Sequence, residues 1–170
     1  MRHKCVLLRT ICILVIVALL TGCVNTSTKL HFKMAAYERM INGNIPDDLR
    51  LTIYYISPLI FTRMPLSAED LVNDWDAKII TVSAEELSSN LAVLQKLKAS
   101  VLQPVEEETY IDARIYYVFE TSRSNKVLEV VSRSLRSSVF VNGVEVENNE
   151  IFYEIIEPFL TEEAHEILGI

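Results

Sequence analysis

Hydrophobic residues in the first part of the chain after position 25 recur at helical spacing. Four of them fall three or four positions apart, which fits one face of a helix. They are Leu30, Met34, Tyr37 and Ile41. The pair Asn42-Gly43 that follows them offers a left-handed stop. The pattern therefore predicts a first helix over about residues 29–41.

The next pattern has a period of two, which is typical of strands with one buried face. Residues 49–56 alternate in this way, and residues 78–82 form a β-branched run. Further strand patterns cover residues 113–121 and 126–132. Two short valine-rich runs flank Asn142-Gly143, which is the strongest short-range signal for a hairpin. The sequence thus predicts several strands with short connections between them.

Two serines mark where helices begin between these strands. Ser67 stands before a stretch with acids in its first turn, as an N-cap residue does. Ser83 and Glu86 have the spacing of a capping box, in which each side chain bonds the other residue's backbone. We expect a short helix after Ser67 and a long helix from Ser83 to about Ala99.

The order of these elements indicates an α+β fold. We expect an antiparallel sheet of about four or five strands with helices packed on one face. A closing helix follows Asn149, Pro158 ends or kinks it, and Thr161 caps a final turn. Residues 29–170 are enough chain for one core, so we expect a single globular domain.

The first 23 residues have a different character. Arg2, Lys4 and Arg9 form a positive segment, and the apolar run of about ten residues from 11 to 20 matches the core of a secretory signal. A membrane-spanning helix needs roughly twenty apolar residues, so this run is too short to span a bilayer well.

The four residues Leu20-Thr21-Gly22-Cys23 resemble the lipobox of bacterial lipoproteins. The resemblance implies that residues 1–22 are a cleaved signal peptide and that Cys23 receives a diacylglyceryl group. Residues 23–28 are then the lipidated N-terminus and a spacer. A two-chain anchor of this kind holds a domain on a membrane almost permanently. The alternative is an uncleaved signal anchor in which Cys23 is an ordinary thiol.

The resemblance also implies a location. The domain is expected at the extracytoplasmic face of a cell membrane, or at the outer membrane if the organism has one. Cys5 and Cys12 leave with the signal and Cys23 is acylated, so the mature domain has no disulfide although its compartment is oxidising.

Charge limits the partners. The chain has 16 basic and 23 acidic side chains, and removal of the signal leaves 13 basic ones, a net charge near −10. Nucleic acids and anionic lipid headgroups are bound mainly through lysine and arginine patches. We therefore expect no nucleic-acid partner, and a membrane contact made only through the lipid anchor.

Residue patterns for catalysis are weak. No paired histidines are spaced for zinc, and four glycines cannot build a nucleophile elbow or a phosphate loop, so we expect no metal and no cofactor. The acids from Asp70 to Asp76 lack the glycine and distal glutamate of a calcium loop, and we interpret them as a solvated helix end with Trp75 anchored inward.

One acidic loop remains as a weak candidate for acid and base chemistry. It contains Glu106, Glu107 and Glu108, and Asp112 follows it. Charge runs are usually solvated loops, and Arg114 beside them is interpreted as a member of a surface ion pair.

Paired tyrosines give the candidate binding residues. Tyr54-Tyr55 and Tyr116-Tyr117 each place one tyrosine on either face of the sheet, because side chains alternate along a strand. Tyr54 and Tyr116 are out of phase with the apolar sets of their strands, so they are expected to point outward. On neighbouring strands they would form an aromatic platform for a partner. The alternative is a cross-strand pair that only stabilises the sheet.

Two functions are consistent with these patterns. The first is a membrane-tethered, non-enzymatic lipoprotein that binds a protein or envelope polymer, or has a structural role. The second is a small envelope enzyme that uses carboxylates as a hydrolase does. We favour the first, because no residue pattern for catalysis is specific.

Overall fold

The computed structural model describes residues 26–105, 109–123, 126–133 and 137–169. The lipobox with Cys23 and the three acids at 106–108 lie outside the described residues. Within the described ranges, no helix combines the length and the apolar character that crossing a membrane requires.

Helices and strands follow one another in the order that the periodicities predict. The helices are α1 (Thr26–Asn42), α2 (Ala68–Asn73), α3 (Ala84–Ser89), α4 (Leu91–Leu94), α5 (Ile151–Glu154) and α6 (Glu162–Leu168). The strands are β1 (Arg50–Tyr55), β2 (Lys78–Val82), β3 (Ile115–Glu120), β4 (Lys126–Ser132), β5 (Val139–Val141) and β6 (Val144–Val146). Single 3-10 turns cover Ala99–Val101 and Glu157–Phe159.

The strands form one antiparallel sheet in the order β2-β1-β3-β4-β5-β6. The predicted α+β class is confirmed, with six strands in place of four or five. β1 ends at Tyr55 opposite the first residues of β2 and β3, and we call this the Tyr55 end of the sheet. The opposite end, where β1 begins, is the Arg50 end.

The main core lies on the face of the sheet that carries Tyr55, Tyr117 and Phe119. All helices except α2 contribute buried residues to it. Tyr117 donates its hydroxyl to the Phe152 carbonyl at 3.0 Å, and Tyr37 of α1 donates to the Leu94 carbonyl at 2.9 Å. Buried hydroxyls need such partners, so these two bonds let tyrosines serve as core residues.

The middle of α1 contacts the turn between β5 and β6. Lys33 donates to the backbone carbonyl of Asn142, whose side chain donates back to the Lys33 carbonyl at 3.2 Å. Asn142 and Gly143 have φ values of 49° and 72°, as a two-residue hairpin turn requires, so the predicted hairpin is confirmed. The turn thus joins β5 to β6 and holds the middle of α1.

Both serine caps are confirmed, but the long helix after Ser83 is wrong. Each cap is a full capping box, with Asp70 as the partner of Ser67 and Glu86 as the partner of Ser83. α3 ends at Ser89, and the side chain of its C-cap residue Asn90 donates to the Glu86 carbonyl at 3.0 Å. Ser88 and Ser89 likewise bond carbonyls four residues earlier. Such side chains compete with backbone N–H groups for the helical carbonyls. Three consecutive side chains of this kind interrupt the helix here.

A smaller cluster covers the second face of the sheet. Leu71 of α2 is buried there against the strands, and the loop of residues 57–66 crosses the same face. The cluster consists of Ile56, Leu71, Ala113, Tyr116, Val118, Val131 and Phe140. Helices therefore dominate one face, and one short helix with a loop covers part of the other.

Candidate functional site

Tyr54 and Tyr116 lie opposite each other on β1 and β3, on the face away from the main core. Their rings stack with centroids 5.7 Å apart and planes at 22°. Tyr116 is only 3 % exposed and Tyr54 is half-buried, so the expected open platform is wrong for Tyr116. The two tyrosines lie on neighbouring strands and on the face away from the main core, as predicted. The small cluster around α2 nevertheless covers the pair.

Further contacts fix the ring of Tyr116. Lys126 places its Nζ 5.6 Å from the ring centroid, and the Tyr116 hydroxyl lies 3.4 Å from a carboxylate oxygen of Glu129. Burial raises the pKa of Tyr116, because a phenolate would lose its hydration. The ring therefore has the contacts of a packing residue, and with Tyr54 and Val72 it lines a shallow groove of about 330 Å³.

Trp75 was expected to anchor inward and is instead 90 % exposed. α2 ends at Asn73, so Trp75 no longer shares the helical face of Leu71, and Leu71 alone fills the cluster. Trp75 lies just before β2, at the Tyr55 end of the sheet.

Several other large apolar side chains are exposed at the same end. Phe61 is fully exposed. Leu59 and Met64 on the same loop, and Tyr110 in the segment before β3, are also largely exposed. We call the set the apolar tip: Leu59, Phe61, Met64, Trp75 and Tyr110. Sequence reasoning missed it, although residues 57–66 contain the run Leu59-Ile60-Phe61 and no acid, which is a usable signal.

The loop that carries the tip is fixed at both sides by backbone bonds. Ile56 donates to the Arg114 carbonyl at 3.0 Å, and Ala113 donates to the Leu66 carbonyl at 2.7 Å. The Leu66 N–H also donates to the Asp112 carboxylate at 3.2 Å. The tip residues on this loop, Leu59, Phe61 and Met64, therefore lie between two anchored ends.

Arg114 supports the loop from below. The predicted surface ion pair is wrong in its exposure, because Arg114 is 4 % exposed. Its Nη2 donates to Thr62 of the loop at 3.1 Å and lies 3.3 Å from Asp112. Asp112 also pairs with Arg133 at 3.2 Å. Alternation along the strand alone would leave Arg114 exposed. The loop of residues 57–66 covers it, so Arg114 is buried.

Beside this ion pair lies a polar cavity of about 380 Å³. Glu145 on β6 is buried next to it and accepts bonds from Thr109, one of them from the hydroxyl at 2.8 Å. Burial alone would raise the pKa of Glu145, but bonds from Ser138 and Thr109 together lower it. An ionised carboxylate of this kind holds the 109–112 segment against the sheet.

In the part of the chain that the structure describes, no group of three or more His, Cys, Asp or Glu side chains is arranged to hold a metal ion. Comparison with protein-family models, with curated proteins and with solved structures finds no significant match for this chain.

Proposed function

We propose that this chain is a lipid-anchored module of the bacterial cell envelope that binds a protein partner through the apolar tip. The observation that carries the proposal is the full exposure of Phe61 on a loop whose two ends are anchored to the sheet. An isolated exposed apolar residue is common, whereas several large ones at one end of a fold are more than scattered single residues and support an interaction surface there.

The composition of the tip favours a protein partner. Aromatic residues, methionine and arginine are enriched in protein interfaces, and the tip has three aromatic side chains and Met64, with Arg63 between Phe61 and Met64. Rigid aromatic rings lose little conformational entropy when a partner covers them. The anchored ends of the loop restrict its backbone and lower that entropic penalty further.

The position of the tip relative to the anchor supports the same view. Two residues separate Cys23 from the start of α1, and Lys33 in the middle of α1 bonds the β5–β6 turn, which points toward the Arg50 end. The tip lies at the opposite, Tyr55 end of the sheet. A lipid on Cys23 would tether the domain through α1, and the tip belongs to other elements.

The alternative of a carboxylate hydrolase has less support. A general acid needs a carboxyl group with a raised pKa. Where the carboxyl pKa departs clearly from its usual value in the described residues, it is lowered, as in Asp70, Glu86 and Glu145. Hydrogen bonds from capping serines or from Thr109 and Ser138 lower these values, which is the pattern of structural carboxylates.

The anchor is tested by Cys23→Ser with Cys12→Ser as the matched control. We expect the first variant to lose fatty-acid labelling and to leave the membrane fraction or remain as a precursor, while the control behaves as the parent. Labelling of Cys23→Ser at the parental level would disprove the anchor.

The binding surface is tested by capture of partners from envelope extracts with the full-length protein in detergent. Leu59→Ser with Phe61→Ser should abolish capture of a specific partner. Phe32→Ser is the matched control, since Phe32 is 84 % exposed on α1, away from the tip. Equal capture by both variants, or no specific partner for the parent, would exclude the tip as the binding surface.

A further inference from the structure

The two edges of the sheet differ in whether a further segment of the described chain bonds to them. Beyond β6, the chain adds residues 103–105 as a short flanking segment, with Val105 donating to the Glu145 carbonyl at 3.2 Å. Glu147 donates to the Gln103 carbonyl at 2.7 Å on the same edge. β2 forms the other edge, and no described segment pairs with its outer side.

The register shows which backbone groups of β2 face outward. Ile56 donates to the Arg114 carbonyl, so Ile56 turns its backbone toward β3. Backbone groups in an antiparallel pair alternate, so Tyr55 turns toward β2, where its partner is Lys78. Lys78 and every second residue after it therefore bond to β1.

Ile79 and Thr81 turn their N–H and C=O groups to the open edge. Neither residue has a backbone hydrogen bond on that side within the described part of the chain. Ile79 is also 59 % exposed on the second face of the sheet. Four backbone groups and one apolar side chain are thus available to an added strand.

β2 lacks three of the devices that usually protect an edge strand. Proteins place proline, a bulge or a central charge on such strands to prevent pairing with other chains. The run from Lys78 to Val82 contains no proline, its register with β1 is continuous, and its one charge stands at the first position. β2 also begins three residues after Trp75 of the apolar tip.

The charge around β2 selects the kind of strand that fits. Residues 74–77 and 83–86 flank it with four carboxylates and no basic side chain. Lys78 is paired with Glu163 at 3.4 Å, so it does little to offset them. An incoming segment with lysine or arginine at its ends would be attracted to this edge.

We propose that β2 accepts an extended segment of the partner protein as an additional antiparallel or parallel strand, with apolar residues alternating along it and basic residues at its ends. This rests on the proposed function, because the segment belongs to the partner that the tip contacts. A second copy of β2 fits less well, since it would bring the flanking carboxylates of the two copies together.

The test uses an eight-residue fluorescent peptide in which valine and threonine alternate between two lysines at each end. Its anisotropy is measured with the full-length protein in detergent. Two control peptides have backbone N-methyl groups at alternate residues, or glutamates in place of the lysines. We expect both controls to bind about tenfold more weakly, and the affinity of the parent peptide to fall with added salt.

Protein variants test the same edge. Thr81→Pro removes an outward N–H without removing a bond to β1, a position where edge strands tolerate proline. It should weaken peptide binding about tenfold. Thr81→Val retains the N–H and should bind within about threefold of the parent. If Thr81→Pro fails to fold, the N-methylated peptide decides the point.

Three results would overturn the proposal. They are equal binding of the N-methylated and parent peptides, binding of the parent peptide weaker than about 1 mM, and self-association of the protein that Thr81→Pro abolishes. Partner capture that depends on Phe61 would still support the tip in each case, so the two proposals fail separately.

Discussion

The two faces of the sheet carry tyrosines from the same two strands and use them differently. Tyr117 is deeply buried under helices and donates to a backbone carbonyl, whereas Tyr54 stacks on Tyr116 at the border of a small cluster and stays half-buried. The alternation of side chains along a strand therefore predicts which face of the sheet a residue lies on, but not how exposed it is. Its exposure depends on which helices or loops cover that face.

The crossing segment explains the contrast. The main face is covered by α1 and residues of four further helices, while the second face is covered by α2 and a loop. The loop buries Arg114 and leaves Phe61 in solvent. One face is thus specialised for stability, and the other combines a thin layer of packing with exposed apolar side chains.

The largest expected effect is on the main face. Phe119→Ala removes a fully buried ring that contacts Tyr37 edge-on at a centroid distance of 5.3 Å. We expect a loss of about 3–5 kcal/mol in the free energy of unfolding, measured by denaturant titration. A loss below about 1 kcal/mol would show that this face does not dominate stability.

How far the sequence predicts the structure depends on the range of the interactions. Ser67, Ser83 and Asn142-Gly143 act within a few residues, so caps and hairpin are recognisable from the chain alone. The exposure of Trp75 depends on where α2 ends, and that of Arg114 depends on a loop with no periodicity. Neither is encoded in a local pattern.

In the candidate site, too, features set by nearby residues are predictable and features set by distant ones are not. Tyr54 and Tyr116 are paired as alternation predicts, yet their burial depends on Leu71, which reaches them from another element. The apolar tip and the open edge of β2 emerge only from the tertiary arrangement. A run of apolar residues without acids signals the tip, but only the fold shows that it is exposed.

A second prediction concerns how much the small cluster on the second face contributes to stability. Tyr116→Ala should lower the free energy of unfolding by about 2–3 kcal/mol, less than Phe119→Ala, because its cluster is smaller. A double-mutant cycle with Tyr54→Ala should give a coupling of about 0.5–1.5 kcal/mol for the stacked rings. Zero coupling would show that the stacking contributes nothing beyond burial.

A third prediction concerns the support of the 109–112 segment. Glu145→Gln weakens bonds to Thr109 and Ser138 and should destabilise the domain by about 1–2 kcal/mol at neutral pH. The pKa of Glu145 is lowered in the folded protein, so its contribution is present above the unfolded pKa and is lost as pH falls through the folded value. The difference between parent and variant should therefore shrink below about pH 4. A difference that grows on acidification would contradict the lowered pKa.

The smallest effect on stability is expected at the apolar tip. Phe61 and Phe119 are the same residue type at the two extremes of exposure. Phe61→Ser removes no buried contact, so the melting temperature should stay within about 2 °C of the parent. Its solubility should rise, because an exposed apolar side chain promotes association. Thermal unfolding and light scattering at matched concentrations measure both quantities, with Phe32→Ser as the control. A drop in melting temperature comparable to that of Phe119→Ala would mean that Phe61 packs against the domain and cannot serve as a free contact for a partner.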